Sequence, residues 1–194
     1  MTTATVPDAW QEVFMVGIQI KGGTEVQFAG IIENITGIEL AEKDIEGVPM
    51  ANGGRTTTYK PQGDQSITLK IWPVDGALSG SGMIQLFNPQ STADTSEPIL
   101  VENTRLRNKH QVIVSWAEDL ASYSTAGQAS TLNQAAQRMT AKNAYCTVHN
   151  FSNDDMNLSA EVTFKWTAFA KDATSNFKFE STKTTPIPIA TNFT

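Results

Sequence analysis

The sequence predicts an all-β domain, a β-sandwich or barrel with one or two short helices and long inter-strand loops. Three observations carry this. Apolar and polar residues alternate with a period of two over several segments. Turn residues separate those segments at hairpin spacing. Helical periodicity is confined to two short stretches.

Taken in order, residues 12–20 and 25–32 flank Lys21-Gly22-Gly23-Thr24 and read as a hairpin. Residues 42–55 have little periodicity and read as a long loop, followed by a short β-prone run over 56–60. Over 65–73, Ile67, Leu69 and Ile71 face one way and Ser66, Thr68 and Lys70 the other. A weak helix signal covers 83–87, after the glycines of 78–82, and a second long loop covers 88–98. Residues 111–117 set Val112, Val114 and Trp116 on one side, and a third loop spans 118–128. Over 130–139, Leu132, Ala135, Ala136 and Met139 fall at helical spacing behind Ser130 as N-cap, which gives a helical insert at about 128–140. Residues 144–150 align Ala144, Cys146 and Val148, and a hairpin across 151–157 joins them to the clearest strand, 158–170. There Leu158, Ala160, Val162, Phe164, Trp166, Ala168 and Ala170 oppose Ser159, Glu161, Thr163, Lys165 and Thr167. Residues 1–171 thus form one domain. Residues 172–194, polar but holding Phe177, Phe179, Ile187, Ile189 and Phe193 around Pro186 and Pro188, read as an extended arm. The arm is expected to lie across a neighbouring subunit or the adjacent ring, ordering on assembly; the alternative is a strand added to its own sheet.

Residues 66–72 and 161–167 share the order apolar-Thr-apolar-Lys-apolar. They are either equivalent strands from pseudo-symmetric halves or two strands that each converged on one wet face.

Composition narrows the function. Charged residues make up only 18% of the 194, which suggests a surface partly covered by another chain. The net charge of −6, with no basic block, argues against holding nucleic-acid phosphates. A single cysteine, Cys146, excludes an internal disulfide and a multi-cysteine zinc site. The first residues show no basic region followed by an apolar run, so no signal peptide is expected. No apolar stretch has the roughly 20 residues of a membrane helix, and no membrane insertion is expected.

The candidates for chemistry are few. Cys146 and His149 are three apart on a strand and point to opposite faces, so they make no dyad. Cys146 reads as a buried thiol, and His110, beside Arg107 and Lys109, as a solvated strand end. Glu39, Glu42, Asp44 and Glu46 form one carboxylate cluster, Asp154 and Asp155 another. The second lacks calcium-loop spacing and reads as turn chemistry; the first sits with Lys43 and Arg55, where salt bridges to a neighbour are the alternative to a site, and catalysis is expected of neither. Gly53-Gly54 and Gly80-Ser81-Gly82 lack the Lys-Ser/Thr of a phosphate loop. No catalytic residue, metal or cofactor is therefore expected. Trp116 and Trp166 belong to core faces; Trp72, opposite Ile71 and Leu69, is kept as a contact residue for another subunit.

Residues 33–76 (ENITGIELAEKDIEGVPMANGGRTTTYKPQGDQSITLKIWPVDG) run strand, long loop, polar-faced strand. With LRNKHQVIVSWAED (106–119) and NAYCTVHNFSNDDMNLSAEVTFKWTAFAKD (143–172), they resemble tail tube, or major tail, proteins of tailed viruses, including the head-tailed viruses of archaea. The match covers residues 12–172 and rests on strand order and loop placement. It implies a tail-tube-like sandwich that self-assembles into stacked hexameric rings, whose inner sheets join into one barrel. Such a tube meets other tail proteins and lets DNA pass without specific binding. It implies a location in the virion tail, assembled in the host cytoplasm. The expected interface is the 42–55 loop, with Ile45, Val48 and Met50 buried against a neighbour and Glu42, Lys43, Asp44, Glu46 and Arg55 at the rim, together with Trp72, Phe177 and Phe179. Lysines on the Thr68/Lys70 and Thr163/Lys165 faces would attract DNA in a lumen, so those faces point outward or nearby acids such as Glu161 offset them. The other class considered is a non-catalytic carbohydrate- or ligand-binding β-sandwich module.

Overall fold

The computed structural model describes residues 13–22, 25–27, 32–40, 45–59, 63–71, 108–117, 123–124, 129–130, 136–154, 157–172, 174–182 and 193. Among them are strands and no helix. The first hairpin forms as expected, β1 (Val13–Ile20) against β2 (Glu25–Gln27). Then come β3 (Ile32–Glu39), β4 (Ile45–Pro49), β5 (Arg55–Tyr59), β6 (Asp64–Ile71) and β7 (His110–Ala117). A short pair, β8 (Tyr123–Ser124) and β9 (Ala129–Ser130), precedes β10 (Ala136–Asp154), β11 (Asn157–Thr167) and β12 (Phe177–Thr182).

One antiparallel sheet runs β2-β1-β7-β10-β11-β6-β3, with β12 added beside β10. The 19-residue β10 belongs to two layers. Its first part, to Ala144, pairs with β7, and its residues 136–141 also pair with β12; from Tyr145 it pairs with β11. Between the two parts the register with β7 slips at Ala141/Ala144, and Asn143 takes φ 56°. Asparagine tolerates that left-handed backbone better than most side chains. The sheet so folded encloses one core. Val16, Ile18, Val112, Val114, Met139 and Ala141 come from one layer, and Ile67, Leu69, Ala160, Val162, Phe164 and Trp166 from the other. Each buried valine, leucine, isoleucine, methionine or phenylalanine among them contributes about 1.5–3 kcal/mol, the alanines less.

Three expectations need correction. The helix over 130–139 is not formed: Ala129–Ser130 is β9 and Ala136–Met139 begins β10, while residues 131–135 lie outside the described residues. The apolar spacing misled because this part of β10 is buried on both faces. Met139 and Ala141 enter the core, and Arg138 and Thr140 on the other face are buried as well. His110 is not a solvated strand end. It is 1% exposed, its ring edge-on to Phe164 at 5.5 Å, because the β10 bend covers the start of β7. The third is the 42–55 loop, whose described part is mostly the β4–β5 hairpin. The weak helix at 83–87 and the 88–98 loop lie outside the described residues.

The chain after 172 returns to its own domain where it is described. Asn176 ties three elements together. Its backbone N–H donates to Ala168 O (3.0 Å), its carbonyl accepts from Lys142 N (2.7 Å), and its side chain joins Asn143 (2.7 Å) and Thr167 O (2.9 Å). Phe177 stacks on Trp166, centroids 6.3 Å apart. Phe193 accepts from Gly22 N and donates to the buried Gln19 Oε1. Of the arm's two alternatives, the added strand is the one seen over residues 177–182.

Candidate subunit interface

The two layers differ in how they meet solvent. In the first, the face away from the core is also buried, at Gln19, Gln111, Ile113, Ser115, Arg138 and Thr140. In the second, made of the Tyr145–Asp154 part of β10 with β11, β6 and β3, that face is polar and largely open, apart from Ser159 and Thr163, which are buried.

Registers set three rows across the open face. Glu39, Ser66, Lys165 and Tyr145 align; so do Gly37, Thr68, Thr163 and Thr147; so do Asn34, Lys70, Glu161 and Asn150. The middle row is uncharged and hydrogen-bonded, with Thr68 Oγ1 and Thr163 Oγ1 2.8 Å apart and Thr147 Oγ1 donating to Thr163 O. The look-alike segments are thus direct antiparallel neighbours centred on Thr68 and Thr163. That pairing puts Lys70 opposite Glu161 and Lys165 opposite Ser66, so the lysines stand at opposite ends. The rows contain two lysines and two glutamates, a net charge of zero.

Among the described residues this layer has two unpaired edges, β3 and the 145–154 part of β10. Both are bulged: β3 at Ile32/Asn34 and Ile35/Gly37, β10 at Val148/Asn150. Bulges twist an edge so that only a matching partner pairs with it.

The β4–β5 hairpin stands off the body. Its turn is Met50-Ala51-Asn52-Gly53-Gly54, closed by Met50 N to Gly54 O (2.7 Å) and Gly53 N to Met50 O (3.0 Å). Gly53 at φ 82° supplies the left-handed residue of a three-residue loop, and Asn52 Oδ1 accepts from Gly54 N. Of the expected interface residues, Ile45 (57%), Val48 (38%) and Met50 (46%) are exposed, as are Glu46 and Arg55. Ile38 and Leu40, which sequence reasoning passed over, are exposed in the same segment, so five of the eight exposed large apolar residues among the described residues fall within 38–50. The three expected residues do not make one patch: alternation along β4 puts Ile45 and Val48 on opposite faces. Phe179 is half exposed on β12, whereas Phe177 packs on the core. Glu42, Lys43, Asp44 and Trp72 lie outside the described residues.

Cys146 is partly buried against the core, and burial pushes its thiol pKa up to about 12. At pH 8 it stays protonated and a poor nucleophile. An aromatic disulfide reagent should label it at least about tenfold more slowly in the folded protein than in denaturant; equal rates would show an accessible thiolate. The backbone bulge at Val148/Asn150 interrupts the strict alternation used to place His149. Among the described residues there is no group of three metal-ligating side chains, and no helix long and apolar enough to cross a membrane.

No protein-family model matches the sequence, and no curated protein matches it. Solved structures do. A chain of an extracellular contractile injection system, described as the PVC sheath/tube terminator in its extended state, superposes with TM-score 0.51 at 11% identity over 93% of this chain and 99% of that one. A chain of the anti-feeding prophage baseplate gives TM-score 0.49 at 11% identity, covering 93% and 97%. A chain of the PVC sheath-tube complex gives 0.48 at 13%, covering 93% and 99%. The first of these establishes a shared fold over nearly the whole length of both chains: an all-β fold found in a phage-tail-like particle.

Proposed function

We propose that this chain is a non-catalytic structural subunit of a tail tube in a virion, assembling with copies of itself into stacked, hexameric rings. Three features support the reading: the fold shared with a sheath/tube terminator, the standing hairpin, and above all a four-stranded layer open at both edges with a neutral threonine face. Joined edge to edge, six such layers give 24 strands. At about 4.8 Å per strand that is a circumference of roughly 115 Å and a diameter on the order of 40 Å, an open channel rather than a filled barrel. Closure removes the exposed edges. The neutral rows then line the lumen, where Glu161 offsets Lys70, and DNA slides past without being held. Contacts to other tail proteins fall to the ring faces, and assembly takes place in the host cytoplasm.

Negative-stain electron microscopy of the purified protein tests this. A tube subunit grows into tubes of unlimited length. Discrete rings that stop at one or two layers would instead mark a terminator, the role of the protein it superposes on. A monomer at all concentrations that binds a glycan would support the ligand-binding module.

A further inference from the structure

A cleft of about 940 Å³ opens at the end of the molecule where β1 and β11 finish and β6 and β7 begin. Lys21, Lys109, Lys165 and Lys171 line it, against Asp64 and Asp172. Four ammonium groups against two carboxylates make a net +2 (4 − 2) in a chain of net −6. Asp172 is turned to its own loop: Thr174 Oγ1 donates to Oδ1 at 2.6 Å and Thr174 N at 3.1 Å, bonds that lower its pKa and keep it ionised. Trp166 and Asn176, both buried, give the cleft a firm floor.

We infer that this cleft receives the stem of the β4–β5 hairpin from the adjacent copy of the chain, with Glu39 and Glu46 facing Lys165 and Lys171. The inference rests on the ring reading above and names where the ring closes. Strands in the open layer alternate in direction, so a seam that keeps the alternation pairs β3 of one copy antiparallel with Tyr145–Asp154 of the next. The Glu39 end of β3 then arrives at the neighbour's Tyr145, which lines the cleft mouth. Continued across the seam, the row reads Glu39, Ser66, Lys165, Tyr145, Glu39, so charge alternates at every second strand around the barrel. The occupant has the complementary sign: residues 39–46 carry Glu39, Glu42, Asp44 and Glu46 against Lys43 alone. None of the described hairpin residues lines the cleft of its own chain. The exposed Leu40 and Ile45 would supply the apolar contact beside the charges.

The test is a charge swap in the full chain. Lys165→Glu with Lys171→Glu, or Glu39→Lys with Glu46→Lys, should raise the concentration needed for assembly at least about tenfold, and combining all four should restore it to within about threefold. All these residues are exposed, so the variants should fold; circular dichroism of the monomers checks that. Glu46→Cys mixed with Lys171→Cys should form disulfide-linked dimers in rings and not in dilute monomer, which reads proximity independently of charge. Rings that form normally from the lysine variant, or a swap that fails to restore assembly with no cross-link formed, overturn the cleft assignment while leaving the ring reading intact. If the unaltered protein makes no rings, both fall.

Discussion

Replacing residues 45–58 by a short glycine-serine linker should leave a folded monomer that no longer assembles. Residues 45–58 are all exposed, and hydrogen bonds within the hairpin run from the Met50–Gly54 turn to Thr58 Oγ1 donating to Glu46 O. The body therefore loses almost no buried surface, and shortening the connection lowers the closure entropy slightly. Monomer stability should change by no more than about 1 kcal/mol. Assembly has more to lose. Ile45, Val48 and Met50 are three of the exposed large apolar residues, and they lie on both faces of the hairpin. A neighbour that grips the hairpin from both sides buries all three, and that apolar burial contributes to the interface. Single changes should be graded: Ile45→Ser and Met50→Ser, on opposite faces, should each raise the assembly concentration about tenfold or more, since each removes about 1.5–3 kcal/mol of burial. Sedimentation for assembly and thermal unfolding for the monomer separate the two effects. Tubes of normal length from the shortened protein would overturn the role given to the hairpin.

Strands with one wet face were legible in the sequence, because alternation is visible wherever one side is polar. β6, β7 and β11 lie where the period of two placed them, within a residue or a few at each end. The start of β10 was not legible: Gln137 shares the core-side face of Met139 and Ala141 and breaks the alternation, while Arg138, opposite, is polar yet buried against Glu180, 42 residues away. His110 failed for a similar reason, since its cover comes from the bend at Asn143. The β4–β5 hairpin was readable and missed. Asn52-Gly53 is a strong turn signal, and Ile45-Glu46-Gly47-Val48 before it and Arg55-Thr56-Thr57-Thr58-Tyr59 after it are short β-prone runs. The three apolar residues of that segment stand out in the sequence; their division between two faces follows only once β4 is known to be a strand. The rows of the open face depend on register across four strands, which no single segment encodes.

The second large effect is expected at Glu180. Among the described residues β12 is an edge strand, held to β10 by register pairs from Ala136–Thr182 to Ala141–Phe177, and Glu180 on it meets the buried Arg138. Arg138 donates from Nε (2.9 Å) and Nη2 (2.6 Å) to Glu180 Oε2, while Lys178 Nζ lies 2.6 Å from Oε1. Burial opposes the charge on Glu180, but the hydrogen bonds from Lys178 and Arg138 and their positive charges outweigh it and set its pKa below the ordinary glutamate value. Glu180→Leu leaves a guanidinium at 3% exposure without this carboxylate, a loss of about 3 kcal/mol. Lys178→Ala, at a side chain 67% exposed, should cost about 0.5 kcal/mol. The pH dependence has a definite sign. A carboxyl whose folded pKa lies below its unfolded value stabilises the fold above the ordinary glutamate range and loses that contribution as pH falls through the folded pKa. The unaltered protein should therefore lose stability on acidification below about pH 4.5, and Glu180→Gln should be less stable at neutral pH with a flatter acid limb. Because β12 belongs to its own sheet, limited proteolysis ahead of Phe177 should be equally slow in free subunits and in assemblies. Fast cleavage there in the free subunit alone, or a Glu180→Leu protein as stable as the parent, would return residues 172–194 to the role of an arm ordered only by its neighbours.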